Sequence, residues 1–194
     1  MSWFEVETKI PIDKKEVRRI RKKIKDIANF SKKEKKSDFY FGIEKPNYPR
    51  KAFRIRYNGK KYIINFKKWK KKYWGKGIVV KEEFEFELSH KEEFLTLMEE
   101  LGFVRWMRKL KLGESYNHKK DKRITIELNY VKNLGYFIEI EYLAKKHEIK
   151  KAIRKIISTL SELEISKDQI DNTGYTKMLW KKGKKDTKYF KSLK

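Results

Sequence analysis

Along Phe4-Glu5-Val6-Glu7-Thr8-Lys9-Ile10 charged and apolar side chains alternate, and the same two-residue period returns in nearly every later segment that reads as a strand. Successive side chains of a strand point to opposite faces, so Glu5, Glu7 and Lys9 share one face while Phe4, Val6, Thr8 and Ile10 share the other. One such stretch is weak, because any half-exposed strand alternates. Its recurrence is what restricts the fold. Arg54 and Arg56 alternate with Phe53, Ile55 and Tyr57; Asn65 and Lys67 alternate with Ile64 and Phe66. Lys81, Glu83, Glu85 and Glu87 oppose Phe84 and Phe86, and Lys109 and Lys111 oppose Leu110 and Leu112. Glu127 and Asn129 oppose Ile126 and Leu128, and Glu139 and Glu141 oppose Ile138 and Ile140. Together with Asp38–Phe41 this predicts about eight strands. Asn58-Gly59 marks a tight hairpin between the third and fourth.

Three stretches have helical spacing instead. Val17, Ile20, Ile24, Ile27 and Ala28 form an apolar stripe behind Asp13 and Glu16, the spacing of a capping box. Ser89 and Glu92 repeat that signal ahead of Phe94, Leu97, Met98 and Leu101, with Gly102 as the stop. Ile149, Ala152, Ile153, Ile156, Ile157 and Leu160 stripe a third helix over about 146–163. A basic–aromatic stretch, Lys68 to Gly77, contains Trp69, Tyr73 and Trp74. These rings can stack on bases or dock a long hairpin connection onto the body. Residues 1–181 read as a single domain, and 182–194 as a basic tail with fraying expected.

The chain carries 52 Lys and Arg against 27 Asp and Glu, a net charge of +25. That field favours polyanions without choosing among them. With no cysteine, disulfides and thiolate metal sites are excluded. His90, His118 and His147 lack metal-ligand spacing and are expected at the surface. No apolar run approaches the ~20 residues of a membrane span, and no signal-peptide core is present, so a cytoplasmic protein is expected.

Three apolar-striped helices need an apolar sheet face to cover, which leaves the charged faces together. Either the sheet is open and these charges meet water, or it closes into a barrel with charges inside and helices outside. A charged interior is costly alone. It becomes reasonable around a charged ligand: Lys and Arg neutralise phosphates, while carboxylates suit Mg²⁺ or Mn²⁺ bridging to phosphate oxygens.

The ordered motifs resemble the CYTH superfamily, the triphosphate tunnel metalloenzymes, from Glu5 to about Leu179. They are Glu5-x-Glu7-x-Lys9, Phe39-Tyr40-Phe41, Arg54-Ile55-Arg56, Lys67, Lys81-x-Glu83-x-Glu85, Leu101-Gly102-Phe103, Lys109-x-Lys111 with Tyr116, Leu134-Gly135-x-Phe137-x-Glu139-Ile140-Glu141, and Tyr175. The resemblance implies an α+β fold: an eight-stranded antiparallel barrel with a charged interior under about three helices. It implies metal-dependent chemistry on a triphosphate, as in class IV adenylyl cyclases and in thiamine, inorganic or RNA triphosphatases. It makes Lys9, Arg54, Arg56, Lys67, Lys109 and Lys111 phosphate ligands, and Glu5, Glu7, Glu83, Glu85, Glu139 and Glu141 metal or water-orienting ligands. Lys9, Glu127 and Asn129 become the candidate catalytic residues. Asn129 stands where the family usually has aspartate, removing a metal ligand or base, and Glu127 on the same face is the partial substitute. Lys111 replaces a usual arginine and gives up two-pronged phosphate binding. The expected partner is a nucleotide, thiamine triphosphate or tripolyphosphate bound by a monomer or homodimer. The rival expectation is a non-catalytic binder of polyphosphate or RNA.

Overall fold

The computed structural model describes residues 3–43, 48–49, 52–57, 60–75 and 77–183. The predicted Asn58-Gly59 turn and the tail beyond Gly183 lie outside them. Eight strands form: β1 (Phe4–Ile12), β2 (Ala28–Ile43), β3 (Ala52–Tyr57), β4 (Tyr62–Trp69), β5 (Val79–Leu88), β6 (Phe103–His118), β7 (Ile124–Val131) and β8 (Gly135–Ala144). Among the described residues the α-helices are α1 (Val17–Ile27), α2 (Lys91–Glu100), α3 (Ile149–Glu162) and α4 (Tyr175–Gly183), four where the sequence predicts about three. The sheet closes in the order β1-β5-β4-β3-β2-β6-β7-β8, and β1 completes the ring by pairing antiparallel with β8 from Phe4↔Ala144 to Ile12↔Tyr136. The open-sheet alternative is thereby eliminated. Among the described residues no helix is long and apolar enough to cross a membrane.

Contacts group the chain into two compact units: Met1–Lys35, Lys68–Glu83 and Lys111–Asn172 in the first, Lys36–Lys67, Phe84–Leu110 and Thr173–Lys194 in the second. In the first, Val17, Ile20 and Ile24 of α1 and Ile149, Ala152, Ile156 and Leu160 of α3 are buried in one core with Val6, Ile10, Ile126, Leu128, Ile138, Ile140 and Tyr142. Each large aliphatic side chain there contributes about 1.5–3 kcal/mol relative to exposure. Covering this strand face leaves the other parity to carry the charges. The second unit has a smaller core of Phe41, Ile55 and Ile64, flanked by Phe39, Phe53, Tyr62, Leu88, Phe94 and Leu95.

Four local expectations are corrected. Neither Asp13 nor Ser89 makes a capping box: Asp13 makes no side-chain cap bond, Glu16 instead binds Arg19, and α2 begins after His90 with no side-chain cap. The stripe of α2 is not buried, with Leu97 53% and Leu101 58% exposed. Of the predicted stripe Phe94 does pack against the second core, together with Leu95, and Met98 is half-buried. The second strand begins at Ala28, well before Asp38, so Ala28 ends the α1 stripe as a strand residue. His118 is buried, with Nε2 3.3 Å from Glu162 Oε2. Gly102, with φ +78°, does end α2 in the left-handed conformation that glycine tolerates.

Candidate active site

In the first unit the β1–β8–β7 ladder decides which charges meet. Glu7 lies directly opposite Glu141, Lys9 opposite Glu139, and Glu139 in turn opposite Glu127. Like charges directly opposed on one sheet face repel, so both acidic pairs need positive or donor groups.

The Glu127–Glu139 pair has them within the chain. Lys111 Nζ lies 2.6 Å from Glu127 Oε2 and 2.9 Å from Glu139 Oε2, and the Asn129 amide nitrogen donates to the same two oxygens at 3.0 and 2.8 Å. Burial lowers the Lys111 pKa and the two glutamates more than reverse this, holding it well above the usual lysine range. Asparagine at position 129 therefore has a structural consequence: an aspartate would add a third carboxylate, whereas the amide ties two together. Gly113 lies opposite Asn129, and a Cβ there would fall 2.3 Å from Asn129 Oδ1, so only glycine leaves room for this side chain.

The second acidic group lies on β1 and β8. Oxygens of Glu5, Glu7 and Glu141 lie within 4.8 Å of one another. Lys81, 8% exposed, reaches Glu7 from the edge of this group. Three carboxylates converging at that spacing form an all-oxygen donor set of the kind hard divalent cations take. The residues present thus fit a Mg²⁺- or Mn²⁺-like ion. Lys9 stands on the same face, 5% exposed. Burial depresses its pKa to about 8, against the opposing pull of Glu139, Glu7 and Asp171.

In the second unit the centre is Asp38, fully buried, which the sequence reading does not include among the site residues. Arg56 grips it with Nε at 2.6 Å and Nη2 at 3.0 Å, Lys109 Nζ lies at 2.9 Å and Arg54 Nη1 at 3.8 Å. Burial would push its carboxyl up, but Lys109, Arg56 and Arg54 outweigh that and hold it well below the usual carboxylate range. Glu85, half exposed, pairs with Arg54 at 3.3 Å and accepts from the Asn65 amide at 2.9 Å. Asp38 and Tyr40 lie opposite Arg56 and Arg54 in register, a pairing that no local sequence signal marks.

The structure therefore places the candidate residues in three sets. Glu5, Glu7 and Glu141 form one, and Glu127, Asn129, Glu139 and Lys111 the second. Arg54, Arg56, Lys109 and Glu85 gather around or beside Asp38 in the third. Glu83 on β5 and Lys67 on β4 are half-buried within their own units.

The chain thus forms a closed eight-stranded antiparallel barrel in which the paired acidic and basic side chains named above share one strand parity. Residues 4–175 match the CYTH domain, and the chain belongs to that family. The fold is similar to that of the PH1819 protein of Pyrococcus horikoshii OT3, with 29% identity, TM-score 0.71, and coverage of 92% of this chain and 99% of that one. A Vibrio parahaemolyticus protein proposed as an adenylate cyclase is 13% identical, with TM-score 0.67 and coverage of 91% and 98%. A Hippeastrum protein proposed as an adenylyl cyclase, and described as having dominant triphosphatase activity, is 16% identical, with TM-score 0.61 and coverage of 94% and 96%. No curated protein matches the sequence.

Proposed function

We propose that this protein is a divalent-metal-dependent triphosphatase that removes the terminal phosphate of a triphosphate substrate. The observation that carries this reading is the register of β1 against β8, which sets Glu7 opposite Glu141 and brings Glu5 to within 4.8 Å of both. Glu5, Glu7 and Glu141 would hold Mg²⁺ or Mn²⁺, which when bound supplies charge neutralisation and alignment of the phosphates. Lys9, Arg54, Arg56, Lys67, Lys109 and Lys111 are the cations assigned to the phosphate chain, and Glu83 and Glu85 are further acidic candidates at its periphery. Lys9, whose pKa burial holds below the usual lysine range, is the candidate proton carrier among them.

Hydrolysis is favoured over cyclisation by Asn129 and its neighbours. A cyclase must take the proton of a ribose hydroxyl, yet asparagine is no base, and Glu127 and Glu139 already accept hydrogen bonds from Lys111 Nζ and the Asn129 amide. Water attacking a terminal phosphorus through a loose transition state depends more on positioning than on early deprotonation. The same saturation favours a second reading, a catalytically silent binder of polyphosphate or RNA.

A screen of tripolyphosphate, ATP, GTP and thiamine triphosphate with Mg²⁺ and with Mn²⁺ separates these. Metal-dependent release of inorganic phosphate is the expected result. Cyclic nucleotide with pyrophosphate would replace the hydrolase by a cyclase, and metal-independent binding without turnover would favour the silent binder.

A further inference from the structure

The connection from β4 to β5 holds three aromatic rings, and they divide. Tyr73 packs against the core of the first unit and anchors the connection. Trp69 and Trp74 stay 47% and 38% exposed, their rings in edge contact with centroids 5.4 Å apart. The Trp74 indole N–H donates to the Val80 carbonyl at 3.2 Å, which fixes that ring. The Lys81 ammonium lies 4.8 Å from the Trp69 ring centroid, and that ammonium also contacts Glu7. Trp69 is thus two contacts from the Glu5–Glu7–Glu141 group, within the same unit. Tyr73, partly buried against that core, docks the connection, while the two indoles are held in fixed orientations and remain exposed.

We infer that Trp69 and Trp74 form a stacking platform for the base of a nucleoside triphosphate, next to the site proposed for its phosphates. This rests on the triphosphate reading above and narrows it. Every nucleobase has a π-face, so stacking recognises nucleoside triphosphates as a class without selecting one base. Inorganic tripolyphosphate makes no such contact. The lysine beneath Trp69 supports the ring through a cation–π contact while remaining close to the anionic end of the ligand.

The test is equilibrium titration of the wild-type protein, Trp69→Ala, Trp74→Ala and Trp69→Phe with ATP, GTP and tripolyphosphate in Mg²⁺. The readout is the ratio of the nucleotide Kd to the tripolyphosphate Kd, which cancels any general effect transmitted through Lys81. Trp69→Ala should raise that ratio about tenfold or more for ATP and GTP alike. Trp74→Ala should shift it in the same direction, and Trp69→Phe should restore most of it. Tripolyphosphate binding with a ratio unmoved by both alanine variants would overturn the platform alone. Failure of the folded wild-type protein to bind any of the three ligands would overturn the triphosphate reading, and the platform with it.

Discussion

Glu141→Gln is expected to lower metal-dependent phosphate release by at least about a hundredfold, since even residues that merely support metal ligands cost 10–100-fold when removed. Glu141 lies directly opposite Glu7 with Glu5 nearby, so the substitution removes one of the three carboxylates of the group. The rise in melting temperature produced by added Mg²⁺ or Mn²⁺ should shrink in parallel. Phosphate release across a Mg²⁺ and Mn²⁺ series, beside thermal melts with and without metal, checks both. Retained turnover at an unchanged metal requirement would remove Glu141 from the metal site.

Asp38→Asn should have the largest effect on stability. The carboxylate is fully buried beside Arg56, Lys109 and Arg54, and its loss takes away the negative charge that Arg56 and the buried Lys109 contact most closely. Breaking such a cluster costs about 3–5 kcal/mol, or roughly 6–20 °C in Tm for a chain of this size. Those cations are also the ones assigned to phosphate. Tripolyphosphate should accordingly stabilise the variant more than it stabilises the wild type, because the ligand replaces the missing anion.

The pH dependence has a definite sign. With its pKa depressed in the folded state, Asp38 contributes its stabilisation above its ordinary value of 3.8, and that contribution is lost as pH falls below it. The variant should therefore lose stability at neutral pH and show a flatter acid limb between pH 4 and 2 by urea titration. A neutral-pH stability equal to wild type, with an unaltered acid limb, would contradict the assignment.

The parity of the strands was legible because a period of two is a local property of sequence. Glu5, Glu7, Lys9, Glu139 and Glu141 are assigned to one face without any knowledge of their partners. Which of them meet was not legible, because it depends on the long-range β1–β8 register. Glu139 accordingly sits with Lys111 and Asn129 rather than within the Glu5–Glu7–Glu141 group. Asp38 escaped notice because its charge is balanced by residues on β3 and β6, and a lone aspartate between Ser37 and Phe39 carries no local mark of that. On α2 the helical period was real, but periodicity does not say how much of a stripe is covered: Phe94 packs on the second core while Leu97 and Leu101 stay exposed.

The proposed chemistry requires a divalent ion and a triphosphate to be bound together. A crystal structure with tripolyphosphate and Mn²⁺, using the anomalous signal to locate the metal, addresses this directly. The predicted result is Mn²⁺ bound by Glu5, Glu7 and Glu141 and sharing a phosphate oxygen, with the remaining phosphates contacted by Lys and Arg from the candidate set. Tripolyphosphate lodged on the outer basic surface, with no metal at those three glutamates, would contradict it.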